Sequence, residues 1–426
     1  MNDDLLARLR RMGVVKGVRH LRPPSFTPTR QAGDASTADR DRPGTLEVLL
    51  PGGRVETCAD GECFVIDRIY AADHHHGPDA LADLLRHRPG AAVPYALDPR
   101  LDGLDFRDFL FLDTETTGLA GAGTLAFMVG VAWFETRPDG REVFVVRQYF
   151  LRDHGDERAM LRQLEELLAT RAGLITFNGR SFDVPLLDQR YLMNRRPSPL
   201  PALPHVDLLP PARRLYRARL GSCALGALEQ NLLGLHRTQA DVPGMLIPAM
   251  YYNYLRTGDA REIARVFYHN EMDMLSMVTL AARIFGQLDG SRGDDPRDQV
   301  SLARWQADLG QSERAEATLR AALDGDIPFE AYHEALHRLA ALYKGAGRRD
   351  EAVVVWQQIA HTSTDDVAAH VELAKHYEWH AADPAAALAW TERALALVER
   401  WTPTPSARIT RSELAHRRER LARKQP

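Results

Sequence analysis

The chain has 426 residues, a formal charge of −4 and a pI of about 6.5, with 45% hydrophobic and 26% charged residues. That length exceeds what one hydrophobic core supports and that composition excludes global disorder, so two folded units plus a less ordered segment are expected. The balanced charge excludes an overall basic character and leaves any phosphate-binding surface to local arginine clusters.

Met1 to Arg11 mixes acidic, apolar and basic residues and reads as neither a signal peptide nor an anchor. No stretch approaches the roughly 20 apolar residues of a spanning helix, so no membrane association and a cytoplasmic location are expected. Cys58, Cys63 and Cys223 are odd in number and lack CxxC spacing, which suits a reducing compartment. Leu21 to Gly44 is rich in Pro, Ser, Thr, Asp and Arg, so residues 1–44 read as an N-terminal segment with a flexible linker. Residues 45–100 form a small β-containing region: Leu46, Val48, Leu50, Val55 and Phe64 to Ile66 are punctuated by turns at Pro51-Gly52-Gly53 and Asp60-Gly61. Within it, Asp73-His74-His75-His76 cannot aim three adjacent histidines one way and reads as a solvated loop.

Phe109 to Leu112 predicts a buried strand running into Asp113-Thr114-Glu115. Positions i and i+2 of a strand share a face, so both carboxylates project together and repel unless they share a proton or a cation such as Mg²⁺ or Mn²⁺. An acidic pair is common among 58 acidic residues; what singles this one out is the strand before it and Thr116-Thr117-Gly118 after it. Leu125 to Trp133 and Val143 to Phe150 complete a meander of three strands. Helix and strand then alternate, with helices at Glu157 to Ala169 and Val184 to Met193 and strands at Leu174 to Phe177 and Pro204 to Asp207. The pattern predicts an α/β domain over 101–288, a mixed sheet flanked by helices.

The turn after Phe177 places Asn178 at the sheet edge and Asp183 in the first turn of a helix, where an acid also complements the helix dipole. Arg213, Arg214, Arg217 and Arg219 then form either a phosphate-binding row or a solvated helix face. A long helix from about Asp259 to Phe285, with Asp259 as N-cap, buries Ile263, Phe267, Met274 and Val278 and sets His269 one turn from Asp273.

After the polar break Ser291 to Pro296 the chain is Ala- and Leu-rich with helical spacing. Leu302, Leu339 and Leu373, turns near Gly310, Gly347 and Ala382, and Ala315, Ala352 and Ala387 recur in matching places, although Gln306 stands where the later units have Tyr343 and Tyr377. The period is roughly the 34 residues of tetratricopeptide repeats, predicting an all-α helical-repeat domain over 297–400, hinged at the break. Residues 401–426 read as an exposed basic helix or tail.

The order of these motifs resembles the DEDD exonuclease superfamily of ribonuclease H-like folds. Leu112 to Leu119, Thr176 to Asp183, Pro204 to Leu209 and Arg219 to Cys223 look more closely like the bacterial YprB-type ribonuclease H-like proteins. The resemblance implies a 3′-to-5′ exonuclease acting on RNA or single-stranded DNA with two Mg²⁺ or Mn²⁺ ions. Asp113, Glu115 and Asp273 would hold one ion and Asp113 with Asp183 the other, roughly 4 Å apart, activating water and stabilising the leaving 3′ oxygen. Leu119 and the Thr116, Thr117 and Gly118 backbone would lie against the terminal nucleotide, with Asn178, Phe182, Arg213 and Arg214 as further substrate contacts. His269 would orient or deprotonate the water. The superfamily carries either Tyr four positions before the last Asp or His five before it; here His269 stands four before and Tyr268 five before. At about 100° per residue His269 lies closer to the Asp273 face than Tyr268, and imidazole titrates near neutrality. The repeats would recruit a protein partner. Endonucleolytic cleavage, and a nucleic-acid-binding scaffold with little catalysis, are the alternatives.

Overall fold

The computed structural model describes residues 44–96, 98–118, 123–238, 240–402 and 404–424. The readings made of residues 1–43 and of Leu119 lie outside these. Nine strands run in chain order: β1 (Arg54–Cys58), β2 (Gly61–Ala71), β3 (His75–His76), β4 (Asp79–Ala80), β5 (Phe109–Thr116), β6 (Ala126–Thr136), β7 (Glu142–Phe150), β8 (Gly173–Thr176) and β9 (His205–Asp207). Seven of them form one sheet in the order β1-β2-β7-β6-β5-β8-β9, and β3 with β4 makes a separate ribbon. The meander β5-β6-β7 is antiparallel, whereas β8 and β9 join β5 in parallel.

The hairpin expected near the N-terminus forms, but it belongs to this sheet. Strand β2 pairs with β7 from Phe64 opposite Phe150 to Ala71 opposite Val143. The physical reason is that Cys63, Phe64, Val65 and Ile66 are all buried, so the strand needs cover on both faces. In the neighbouring ribbon, Asp73, His74 and His75 are exposed as expected, but His76 is buried with Nε2 2.9 Å from Ser276 Oγ. Burial pushes His76 down to about 4, which keeps it neutral.

Six helices pack around the sheet: α1 (Glu157–Leu168), α2 (Asp183–Met193), α3 (Leu209–Leu220), α4 (Leu225–Asn231), α5 (Ile247–Thr257) and α6 (Arg261–Asp289). Alternation along β5 divides the core in two. Leu110 and Leu112 pack with Met160, Leu164, Tyr191 and Tyr251, while Phe109 and Phe111 pack with Tyr216, Leu280 and Phe285. Helix α6 contributes Ile263, Val266 and Phe267 to the first cluster and Met274 through Leu288 to the second, so one helix spans both. It starts two residues after the expected cap, because the Asp259 carboxylate accepts the N–H of Arg261 at 3.1 Å and holds the turn before the helix.

Seven further helices follow: α7 (Pro296–Asp308), α8 (Ser312–Leu323), α9 (Phe329–Gly345), α10 (Arg349–Thr362), α11 (Val367–Trp379), α12 (Pro384–Glu399) and α13 (Pro405–Ala422). The recurrent Ala315, Ala352 and Ala387 are all fully buried, where a larger side chain would hold the helices apart. Each of the three expected turns reaches the left-handed region, at Gly310 and Gly347 (φ +75° and +76°) and at Ala382 (φ +51°), which does so without glycine's freedom. The basic C-terminal segment is a docked helix rather than a tail: Arg417 and Arg420 of α13, with Lys424 just after it, converge on the buried Glu378 carboxylate at 2.8, 2.7 and 3.1 Å. No described helix is long and apolar enough to cross a membrane.

The polar break before α7 is tied down on both sides. Asp79, buried in the β3–β4 ribbon, accepts from Arg283 of α6 at 2.6 Å and from Arg292 at 2.9 Å. Arg219 of α3 makes a bidentate pair with Asp298 of α7 at 2.8 and 2.7 Å, and Trp305 packs on Tyr95 with ring centroids 4.7 Å apart. Leu302 and Trp305 share a core with Phe285. Trp305→Ala should therefore lower the stability of the sheet domain by about 3–5 kcal/mol in urea unfolding followed by far-UV circular dichroism. A sheet domain that unfolds at an unchanged urea midpoint would show that α7 packs there without supporting it.

Candidate functional site

Strand β5 delivers Asp113 and Glu115 to the face covered by α6. Asp113 lies opposite Gly130 of β6, and the register shifts after Glu115. A Cβ at Gly130 would run into the amide of Asn270, so glycine there lets α6 approach the sheet closely. Asn270 is fully buried, accepts from Gln148 Nε2 at 2.9 Å and donates from Nδ2 to Asp113 Oδ2 at 2.9 Å. The helix is thus keyed to the strand at the first candidate carboxylate.

Asp183 arrives from the first turn of α2. Thr114, on the opposite face of β5 from Asp113 and Glu115, donates from Oγ1 to Asp183 Oδ1 at 2.6 Å. The loop before α2 is shaped by Asp207 at the end of β9, whose carboxylate accepts the N–H groups of Asn178 (2.8 Å), Arg180 (3.1 Å) and Leu209 (3.0 Å). Asn178 takes a left-handed backbone conformation with φ +67° and is exposed, and Phe182 is half-buried beside Asp183. In the turn after β5, Thr116 Oγ1 donates to the carbonyl of Gly118 at 2.8 Å, and Thr117 pairs with Leu125 through its N–H (3.0 Å) and its hydroxyl (2.9 Å).

Helix α6 supplies His269 and Asp273. His269 Nε2 faces Glu115 at 4.0 Å and Asp273 Oδ2 at 3.6 Å, while Nδ1 lies 2.6 Å from Asp241 Oδ1. Tyr268 turns elsewhere, its hydroxyl 3.3 Å from Thr238 Oγ1. Asp273 Oδ1 is paired with Arg237, whose guanidinium also grips the buried Glu229 at 2.6 and 2.7 Å. Ser276 Oγ donates to the same Glu229 at 2.6 Å and accepts from His76, which fixes the far end of the network. Arg237, Asp241, His269 and Asp273 line one side of a cleft of about 440 Å³.

Glu115, Asp273 and His269 therefore meet, with Asp113 and Asp183 close enough to act on them electrostatically. Glu115 has no hydrogen-bond donor among the described residues although its side chain is only 12% exposed. Burial first, and then Asp183, Asp273 and Glu115, push Asp113 well above the usual carboxylate range. Burial followed by Asp273 and Asp183 does the same to Glu115. Burial also raises Asp183, to about 6, and Asp273, where His269 and Arg237 oppose it. A cation is the natural remedy for this repulsion, and oxygen-rich donor sets suit hard divalent ions. One oxygen each of Glu115 and Asp273 with a His269 nitrogen lie within 4.8 Å of one another, a spread that one ion can bridge.

The arginine row, read from sequence as either a phosphate-binding row or a solvated helix face, is split between ion pairs and solvent. Arg214 pairs with Asp308 at 2.9 Å and Arg219 with Asp298, so these two guanidiniums join α3 to α7, and Arg213 stays exposed on α3. Asp241, Arg237, Glu229 and Asn270 were not singled out from sequence. Asn270 sits inside the His269-Asp273 motif, whereas the loop carrying Arg237 and Asp241 has no periodicity to mark it.

Residues 110–285 match the RNase H superfamily, so strands β5 to β9 and the four carboxylates belong to a ribonuclease H-like domain. Over 369 residues the chain is 30% identical to the "Uncharacterized protein YprB" of Bacillus subtilis (strain 168), covering 83% of this chain and 86% of that protein. The chain belongs to the YprB family.

In the cation-free chain the folded cluster holds protons more tightly than unfolded carboxylates, which titrate near 4. This contribution favours the native state at acid pH and is lost as pH rises through the raised pKa values of the cluster, about 6 for Asp183, with Asp113 and Glu115 raised as well. Asp113→Asn, which keeps the acceptor for Asn270, should raise the melting temperature of the chelator-treated protein at pH 8 by more than at pH 5. A variant less stable than wild type at both values would contradict the repulsion.

Proposed function

We propose that this protein is a metal-dependent nuclease of the DEDD type, a 3′-to-5′ exonuclease acting on RNA or single-stranded DNA. The observation that carries the reading is the approach of Asp113, Glu115, Asp183 and Asp273, from one strand and two helices, in a cluster whose Glu115 has no hydrogen-bond donor among the described residues. In this reading Asp113, Glu115 and Asp273 hold one Mg²⁺ or Mn²⁺ ion, and Asp113 with Asp183 a second. The bound ions supply an activated water and neutralise charge at the leaving 3′ oxygen.

The chain's own residues do the rest. Asn270 and Arg237 each bind one oxygen of Asp113 and Asp273, leaving the other oxygen for the cluster. Thr114 and the N-terminal turn of α2 hold Asp183 beside them. The backbone of Thr116, Thr117 and Gly118, with Asn178 and Phe182, borders the 3′ end of the substrate, and Arg213 offers a phosphate contact at longer range. Helices α7 to α12 are read as tetratricopeptide-like repeats that recruit a protein partner, on the strength of their buried alanines and left-handed turns.

The full chain incubated with Mn²⁺ or Mg²⁺ should shorten 5′-labelled single strands stepwise, spare circular ones and stop in excess EDTA. Asp113→Asn, which removes the ligand shared by both ions, should lower the rate by several orders of magnitude with the fold intact. Cleavage of circles would make the enzyme an endonuclease; tight binding without cleavage under any divalent ion would make it a scaffold.

A further inference from the structure

His269 is placed for something other than the proton transfer that its spacing suggests. Resting on the metal-dependent reading above, we propose that His269 Nε2 is itself a ligand of one divalent cation, together with Glu115 and Asp273. In this arrangement Asp241 is the positioning residue that makes His269 a ligand, and the site favours Mn²⁺ over Mg²⁺.

Asp241 Oδ1 lies 2.6 Å from His269 Nδ1. An ionised carboxylate only accepts, so Nδ1 carries the proton and, in the neutral ring, Nε2 carries the lone pair. Arg237 Nη1 lies 3.1 Å from the same Nδ1 and 3.5 Å from Asp241 Oδ1, and the shorter 2.6 Å contact gives the ring N–H to Asp241.

The lone pair on Nε2 then points among acceptors. Glu115 at 4.0 Å and Asp273 Oδ2 at 3.6 Å are too far for hydrogen bonds, yet all three ligand atoms lie within 4.8 Å of one another. Donors about 2.0–2.2 Å from a shared cation are separated from one another by distances of this order. A histidine that ligates through one nitrogen while a carboxylate takes the N–H of the other is the recurrent way proteins orient such ligands. The companion atoms are oriented as well: Arg237 occupies Asp273 Oδ1 and leaves Oδ2 on the His269 side.

The chemistry has a consequence for the ion. Mg²⁺ takes oxygen donors and keeps its waters, whereas an imidazole nitrogen in place of one oxygen favours the later and softer divalent metals, of which Mn²⁺ is the first. One lone pair cannot both hold a cation and accept a proton from water. Ligand and base are therefore exclusive roles for this ring.

The test is pulsed electron paramagnetic resonance on the full chain loaded with Mn²⁺, read beside calorimetric Mn²⁺ and Mg²⁺ affinities. A directly coordinated imidazole ¹⁴N coupling is expected in the wild type and not in His269→Gln. Asp241→Asn should weaken Mn²⁺ binding roughly 10–100-fold, the usual cost of losing such a partner, and Mg²⁺ binding by less. Mn²⁺ bound with no nitrogen coupling, or bound by His269→Gln as tightly as by wild type, overturns the assignment. If cation-dependent cleavage persists in that case, His269 returns to the role of base and the nuclease reading stands. A wild-type chain that binds no Mn²⁺ at all overturns both.

Discussion

Mutual repulsion among Asp113, Glu115, Asp183 and Asp273 is the constraint on which the rest of the site depends. Left alone, four acids in a space largely closed to water would separate or take up protons. The protein holds them by committing individual oxygens to neutral or cationic donors: Asn270 on Asp113, Thr114 on Asp183 and Arg237 on Asp273. Among the described residues Glu115 is left without such a donor, and burial with Asp273 and Asp183 raises it. Much of the surrounding polar structure follows from this need. The pairs between Arg237 and Glu229, Ser276 and Glu229, and Ser276 and His76 anchor the donors rather than the acids themselves.

Helix α6 carries this arrangement because it is both spine and wall. Its 29 residues run about 43 Å at 1.5 Å per residue and touch both halves of the core. Its first half presents His269, Asn270 and Asp273 to the strand. Its second half packs Phe285 with Leu302 and Trp305 of the helical region and holds Asp79 through Arg283. The dependence on Gly130 shows how closely the helix is seated: one methyl group at that position would displace Asn270 and with it the donor to Asp113.

What could be read from the sequence was what depends on periodicity. The run Phe109 to Glu115 encodes a strand, its two buried faces and the shared direction of its acids, because side chains alternate with a period of two. Helical spacing alone brings His269 and Asp273 together and separates Tyr268 from them. Pairing between distant segments left no such mark. Nothing in Gly61 to Ala71 says that it will pair with β7 rather than stand apart, and Arg219 cannot announce that its partner is Asp298 instead of a phosphate. Arg237 and Asp241 were hidden for a similar reason. They lie in an irregular loop, where position is set by contacts with α4 and α6 and not by a repeating backbone.

The central claim is that folded structure forces these carboxylates together and that a divalent cation relieves them. It is tested most directly by titrating Mn²⁺ into the chelator-treated full chain near pH 6 in buffers of different ionisation enthalpy. Because the cluster holds protons that a cation must displace, binding should release them, and the apparent heat should vary linearly with buffer enthalpy. Binding heats that do not depend on the buffer would mean that the carboxylates are already ionised and unstrained, which contradicts the account.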